Sequence, residues 1–193
     1  MTTNLKFDLK NDDYIVWRGQ VVMSRSEEPY FEKLFEFVAK KITPLRILEI
    51  GFGLGISAGL IQRHLRPSIH HIVEIDATIG SDLMRFENRN PSVTAILGDW
   101  RHAQLDAPYD FIFYDPFDYF LDAELNEQSE TQLLRELLGT NGILCHPHFG
   151  DGEPRNLSGF RSVVLERFDV PSITMADRTS CEHGAVVFCH PCN

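Results

Sequence analysis

The sequence predicts an α/β fold: one doubly wound, mostly parallel sheet of seven strands with helices on both faces. Three observations carry this expectation. Short β-branched or continuously apolar runs alternate with segments of helical apolar spacing from Arg46 onward. The first run, Arg46–Ile50, opens directly into Gly51, Gly53 and Gly55. Acids stand near the ends of the next two runs, Glu74 and then Asp99. In a sheet of this kind ligands bind outside the carboxyl ends of the strands, near the point where strand order reverses.

Taken in order, residues 1–25 are a polar lead-in with scattered aromatics (Phe7, Tyr14, Trp17) and no periodic core pattern. Residues 1–28 are therefore expected to act as a lid segment, and 29–193 as the core of one domain. From Pro29, which suits a first helical turn, the residues Phe31, Leu34, Phe35, Val38 and Ile42 recur at helical spacing. Ile56–Leu65 is helical, His71–Ile75 a strand, Ile79–Arg89 a helix and Val93–Leu97 a strand. Phe111–Tyr114 is nearly continuous in apolar residues, as a strand covered on both faces should be. Glu124–Leu138 reads as a helix ended by Gly139 and Ile143–His146 as a strand. Gly159–Phe168 reads as a helix, and Ser172–Met175 and Ala185–Cys189 as the last two strands.

Bulk properties narrow the function. At 193 residues, 43% hydrophobic and 24% charged, the chain suits a single globular domain. Its net charge of −10 would repel a nucleic acid unless a basic patch compensated, and the densest positive cluster is only Arg63, His64 and Arg66. A small or cationic substrate is the better match. No run approaches the ~20 apolar residues that span a bilayer, and Met1–Lys10 lacks an apolar secretory core. A cytoplasmic protein, off the membrane and monomeric or homodimeric, is expected. Four cysteines in such a chain do not form a disulfide framework. Cys189-His190-Pro191-Cys192, with Cys181 and His183 nearby, offers one Cys-x-x-Cys pair where a structural zinc wants four well-spaced ligands, so no metal is expected.

The segment Glu49-Ile50-Gly51-Phe52-Gly53-Leu54-Gly55 lets the backbone turn tightly and approach a ligand without a Cβ in the way. A dinucleotide fingerprint would need a third glycine where Ile56 stands. The acid-x-Gly-x-Gly-x-Gly form instead resembles the first motif of the class I, Rossmann-like methyltransferases. Glu74 can accept both hydroxyls of a ribose. In that family the Gly98-Asp99 junction frames an adenine; Trp100 beside it can sandwich the ring or fill the core. Tyr114-Asp115-Pro116-Phe117 ends the fourth strand, where the resemblance places the chemistry.

Met23-x-Arg25-x-Glu27-x-Pro29-Tyr30, then Leu48-Glu49-Ile50-Gly51-Phe52-Gly53, Ile72-Val73-Glu74 and Ile112-Phe113-Tyr114-Asp115 together resemble guanidinoacetate N-methyltransferase, in register from about Val22 to Leu144. The resemblance implies S-adenosyl-L-methionine as cofactor, with contacts at Met23, Gly51, Phe52, Gly53, Leu54, Gly55, Ile56, Glu74, Ile75, Asp76, Gly98, Asp99 and Asp115. Trp17 is the loose counterpart of the lid aromatic. It also implies that Glu27 and Asp115 grip a guanidinium. Chemistry supports the pair, since a planar cation with forked N–H groups matches carboxylates bidentately and a positioned acid can accept its proton. Asp115 is assigned that role and Glu27 the anchor. A buried turn acid at 115 and a first-turn helix acid at 27 are the plainer alternatives.

After the fifth strand the chain departs from the family: His146-Pro147-His148-Phe149-Gly150-Asp151 follows, and the region beyond is shorter. His148 and Phe149 are candidate contacts for the acceptor's far end, or ordinary loop residues. The expected activity is methylation of a small guanidino compound: guanidinoacetate, arginine, agmatine or a guanidino secondary metabolite. The alternatives are methylation of another amine or imidazole, or of protein arginine, and a nucleoside-binding module without catalysis.

Overall fold

The N-terminal segment is strand, not an unpatterned lead-in. In the computed structural model, which describes residues 2–117 and 127–192, Leu9–Lys10 (β1), Tyr14–Trp17 (β2) and Gln20–Ser24 (β3) form an antiparallel meander. Arg18 and Gly19 turn β2 into β3 with φ of 50° and 78°, the paired left-handed geometry that matches strand twist. Ile15, Val16, Trp17, Val21 and Met23 are all buried. A register shift between Ile15 and Val16 breaks the alternation, so the sequence shows no clean period of two.

Ser24 then caps a 3-10 turn, Arg25–Glu27, which runs into α1, Glu28–Lys41, with Pro29 in its first turn. The remaining elements are β4 (Arg46–Ile50), α2 (Ile56–His64), β5 (Ile69–Glu74), α3 (Ala77–Glu87), β6 (Val93–Leu97) and β7 (Tyr109–Tyr114). After them come α4 (Glu127–Leu137), β8 (Leu138–Cys145), β9 (Phe160–Thr174) and β10 (Ser180–Pro191). Residues 124–126 of the expected fourth helix lie outside the described residues.

Seven strands form one sheet in the order β6-β5-β4-β7-β8-β10-β9. The first five are parallel, and β10 runs antiparallel between β8 and β9. This is the expected α/β architecture, with helices on both faces. On one face α1 and α2 bury Phe31, Leu34, Phe35 and Ile61 against Ile47, Phe111, Phe113 and Val186. On the other, Leu134 and Leu137 of α4 meet Leu48, Ile112, Leu144 and Val187. The alternation of Ile47 with Leu48, and of Phe111 with Ile112, reflects the period of two in a doubly covered strand.

One element is corrected. Gly159–Phe168 is not a helix but the first part of β9, which pairs with β10 almost throughout. Leu165 bulges out of the ladder, since Val164 faces Val187 and Glu166 faces Val186. That bulge shifts the apolar residues from a spacing of two toward three and four, which mimics a helix. The strand expected at Ser172–Met175 is the far end of the same β9. No helix among the described residues is long and apolar enough to cross a membrane.

Candidate active site

Strand order reverses on either side of β4, which lies between β5 and β7. The loops that leave β4 and β7 therefore diverge there, and a cavity of about 500 Å³ opens at the carboxyl ends of β4, β5, β6 and β7. Val21, Val22 and Met23 of β3 wall its other side, with Thr174, Met175 and Ala176 at the end of β9. The two outer walls hold each other, as Val21 N–H donates to the Ala176 carbonyl at 3.0 Å.

The glycine loop sets the floor. Gly51 has φ +96°, and a Cβ there would run into the Asp115 carbonyl oxygen, so only glycine lets the β4 and β7 loops touch. The contact is fixed from both sides: Asp115 N–H donates to Ile50 O at 3.0 Å and Gly51 N–H to Val73 O at 2.9 Å. Sheet ends thus place Asp115 beside the glycines. Beneath them Glu49, fully buried, accepts from Ser57 and lies 2.9 Å from His70 Nε2.

Glu74 ends β5, is 4% exposed and lines the cavity. Its Oε2 accepts Phe52 N–H at 3.0 Å and its Oε1 accepts Asp76 N–H at 2.8 Å. Burial raises its carboxyl above the ordinary glutamate value against those backbone bonds. Each oxygen has a second lone pair, and these are the acceptors a ribose diol needs. With three cavity-lining glycines (Gly51, Gly53 and Gly98) at positive φ, this cradle fits an adenosyl group.

Asp99 lines the neighbouring corner and caps the short turn Trp100–His102. Arg101 grips its carboxylate with Nε at 2.8 Å and Nη2 at 2.6 Å, and reaches Glu130 of α4 at 3.2 Å. Burial pushes the Asp99 carboxyl up, but the bonds and charge of Arg101 outweigh it and hold it below the ordinary value. Trp100 lines the cavity and packs edge-on to Tyr114 at 5.8 Å.

Two acids close the opposite end. Glu27 completes a capping box, its Oε1 accepting Ser24 N–H at 2.7 Å, and it is only 8% exposed. Burial, opposed by that one backbone bond, raises its carboxyl from 4.5 to about 7. Asp115 is pushed well above the aspartate range by burial first, then by the charges of Glu27 and Glu49. Two carboxylates so placed resist ionising together unless a cation sits between them.

The profile of the guanidinoacetate N-methyltransferase family matches residues 3–146, from the start of the meander to the end of β8. The chain belongs to this family. Protein arginine N-methyltransferase 2 of Aspergillus fumigatus is 36% identical over 118 residues, 56% of this chain and 24% of that protein. The protein of the same name from Aspergillus oryzae is 35% identical over 88 residues, 41% of this chain and 21% of that one. The chain thus spans about a fifth to a quarter of the length of these curated relatives. Among solved structures, N-methyltransferase NodS from Bradyrhizobium japonicum WM9 superposes with a TM-score of 0.67 at 14% identity, over 86% of this chain and 97% of that one. The putative methyltransferase yhhF from Escherichia coli gives 0.60 at 15%, over 92% and 95%. At such identities these two show the fold.

Of the residues named from the sequence, Met23, Glu27, Gly51, Gly53, Glu74, Ile75, Gly98, Asp99, Asp115 and Phe149 line the cavity. Trp100 and Phe117 line it too, whereas Trp17, Phe52, Leu54, Gly55, Ile56, Asp76 and His148 do not. Phe52 turns away to pack on Phe86 at 5.6 Å, giving only its backbone N–H to Glu74. Leu54, Gly55 and Ile56 open onto a separate shallow cleft at the start of α2. Asp76 is fully buried as the cap of α3, bonded to Thr78, Ile79 and Leu5 N–H groups. Trp17 stands one layer back, its ring edge-on to the cavity residue Phe117 at 6.4 Å. His148 is buried with Nε2 against Gly152 O at 3.1 Å. Sequence reasoning missed Val21, Val22 and 174–176, whose approach depends on the long-range β3–β9 contact. It also missed Arg101, Glu130 and Arg155 on the α4 side.

Proposed function

We propose that this chain is an S-adenosylmethionine-dependent N-methyltransferase and that it methylates a guanidino nitrogen of a small molecule. The convergence of Glu27 and Asp115 in the cavity that also holds Glu74 and the glycine cradle carries this reading. A buried acid and a partly buried one, both with raised carboxyls, represent an unmet demand for positive charge. A guanidinium meets it: it is planar, stays charged at any working pH and offers forked N–H groups to two carboxylates.

Glu74, Met23 and the 51–53 and 98–99 turns would hold S-adenosylmethionine, which would supply an electrophilic methyl. The rest is the work of this chain's own side chains. Glu27, fixed by its capping box, anchors the cation away from the reacting nitrogen. Asp115 orients the nitrogen and accepts the proton it must lose as the new C–N bond forms. The raised carboxyl of Asp115 suits it to hold that proton.

The resemblance to protein arginine N-methyltransferase 2 favours a second reading, in which the same two acids receive an arginine side chain of a polypeptide. One experiment separates them. S-adenosylhomocysteine formation is measured with guanidinoacetate, arginine, agmatine and an arginine-containing peptide in parallel. Turnover of a small guanidine supports the first reading and turnover of the peptide alone the second. Turnover of neither, with a simple amine or imidazole accepted instead, would overturn both.

A further inference from the structure

Tyr30 belongs to the segment that resembles the family most specifically, yet it does not line the cavity, and its ring is fully buried. We infer that the Tyr30 hydroxyl is a positioning group that holds Phe149 as the wall against which the acceptor's planar cation packs. The identity of that cation rests on the guanidino reading above.

Tyr30 lies three residues after Glu27, in the first turn of α1. Its hydroxyl donates to Ala185 O at 3.0 Å and accepts His148 N–H at 2.8 Å. One oxygen thereby joins α1, β10 and the loop after β8. That loop is stitched to β10 on both sides of Phe149: Ala185 N–H donates to His148 O at 3.0 Å and Gly150 N–H to His183 O at 2.8 Å. Phe149 itself bridges Gly184. The space beside it belongs to Tyr30, since a Cβ on Gly184 would lie 2.6 Å from the Tyr30 ring. The rings of Tyr30 and Phe149 stand 4.7 Å apart. Burial keeps the phenol protonated, so the donor is permanent.

Phe149 shares the cavity with Glu27 and Asp115. Carboxylates bind a guanidinium in its plane, and an aromatic face binds it from above. An ammonium is also drawn to an aromatic face, but it is more strongly hydrated and cannot stack flat, so the ring favours the planar guanidinium. A phenylalanine at position 30 would fill the same volume while stranding the buried His148 N–H, which loosens the loop that carries the ring.

The test uses S-adenosylhomocysteine-loaded protein and methylguanidine as probe, read by calorimetry, with Tyr30→Phe, Phe149→Leu and the double variant. Each single variant should weaken methylguanidine about tenfold, and the double variant no further, because one residue acts through the other. Methylamine binding should fall clearly less than methylguanidine binding, and S-adenosylhomocysteine affinity should stay within about twofold of wild type. Amide exchange at His148 should rise at least about tenfold in Tyr30→Phe. Effects that multiply to about a hundredfold, or unchanged exchange at His148, overturn the link to Tyr30. Unchanged methylguanidine binding by Phe149→Leu overturns the wall itself, and that arm stands even if Tyr30→Phe does not fold. A wild-type protein indifferent to methylguanidine, with His148 exchange responding as stated, overturns the guanidino reading instead.

Discussion

Replacing Glu27 by glutamine should stabilise the free protein above neutral pH while disabling its acceptor site. Glu27 is 8% exposed, and burial lifts its carboxyl from 4.5 to about 7. A carboxyl raised on folding binds its proton more tightly in the folded chain than in the unfolded one. Its stabilising contribution is therefore complete below about pH 4.5 and is lost as pH rises through about 7. At about 1.36 kcal/mol per tenfold, the loss amounts to roughly 3 kcal/mol by pH 8. Glutamine keeps an oxygen for Ser24 N–H, so the capping box survives, and it carries no charge to bury. Removing the Glu27 charge also eases ionisation of Asp115, which acts in the same direction. Thermal unfolding of both proteins from pH 4.5 to 8.5 should show curves that nearly coincide at the acid end and separate toward neutrality. For a chain of this size the gap should reach roughly 6–12 °C in favour of Glu27→Gln. A gap that does not change with pH, or a glutamine variant less stable than wild type at pH 8, would refute the reasoning.

Three further outcomes follow from the same geometry. Glu74→Ala should weaken S-adenosylhomocysteine by about 1.5–3 kcal/mol in a calorimetric titration; since Asp76 is committed to capping α3, unchanged affinity would leave no acid of this strand end for the ribose. Asp115→Asn should lower turnover by roughly 10²–10⁴ with cofactor affinity within a few-fold, and near-normal turnover would remove Asp115 from proton transfer. Gly51→Ala should cost at least about 1–3 kcal/mol in urea unfolding and weaken cofactor binding, because its φ of +96° and the Asp115 carbonyl leave no room for a methyl; an unaffected protein would mean the β4 and β7 loops do not meet there.

The sheet was legible where local chemistry and global position agree. Arg46–Ile50 and Val93–Leu97 match their expected bounds because glycine or proline punctuates both ends. Glu74 and Asp115 could be placed at the site because parallel strands of a doubly wound sheet end on one side. Where bulges intervene, the pattern deceives: one hides the meander at Ile15 and Val16, and another dresses β9 as a helix at Leu165. Asp76 and Glu74 are two acids two residues apart, and which one faces the ligand depends on α3, whose start claims Asp76. Ser24-x-x-Glu27 was a readable capping box, and it turns out to be what fixes the aim of Glu27. The far wall at Thr174–Ala176 could not be read, since only a contact spanning most of the chain brings it to Val21.

On the guanidino reading, charge balance accounts for two acids rather than one at this end of the cavity. If the acceptor is a guanidinium, Glu27 and Asp115 together carry two negative charges to match two positive ones, the acceptor and the sulfonium. Once the methyl has moved, the cofactor product is neutral, the methylated guanidinium keeps one charge, and the nitrogen has one proton to lose. Asp115 takes that proton, so one negative charge faces one positive charge and the cavity is again neutral. A single carboxylate would leave an unmatched cation in low dielectric before transfer, and two that could not be protonated would leave an unmatched anion after it. On the guanidino reading, the burial that raises both carboxyls would be part of the chemistry: it penalises charge in the empty site and would let Asp115 hold the proton at the end. The same burial makes Glu27 a liability for the free fold, which is why its removal is expected to stabilise the protein that it disables.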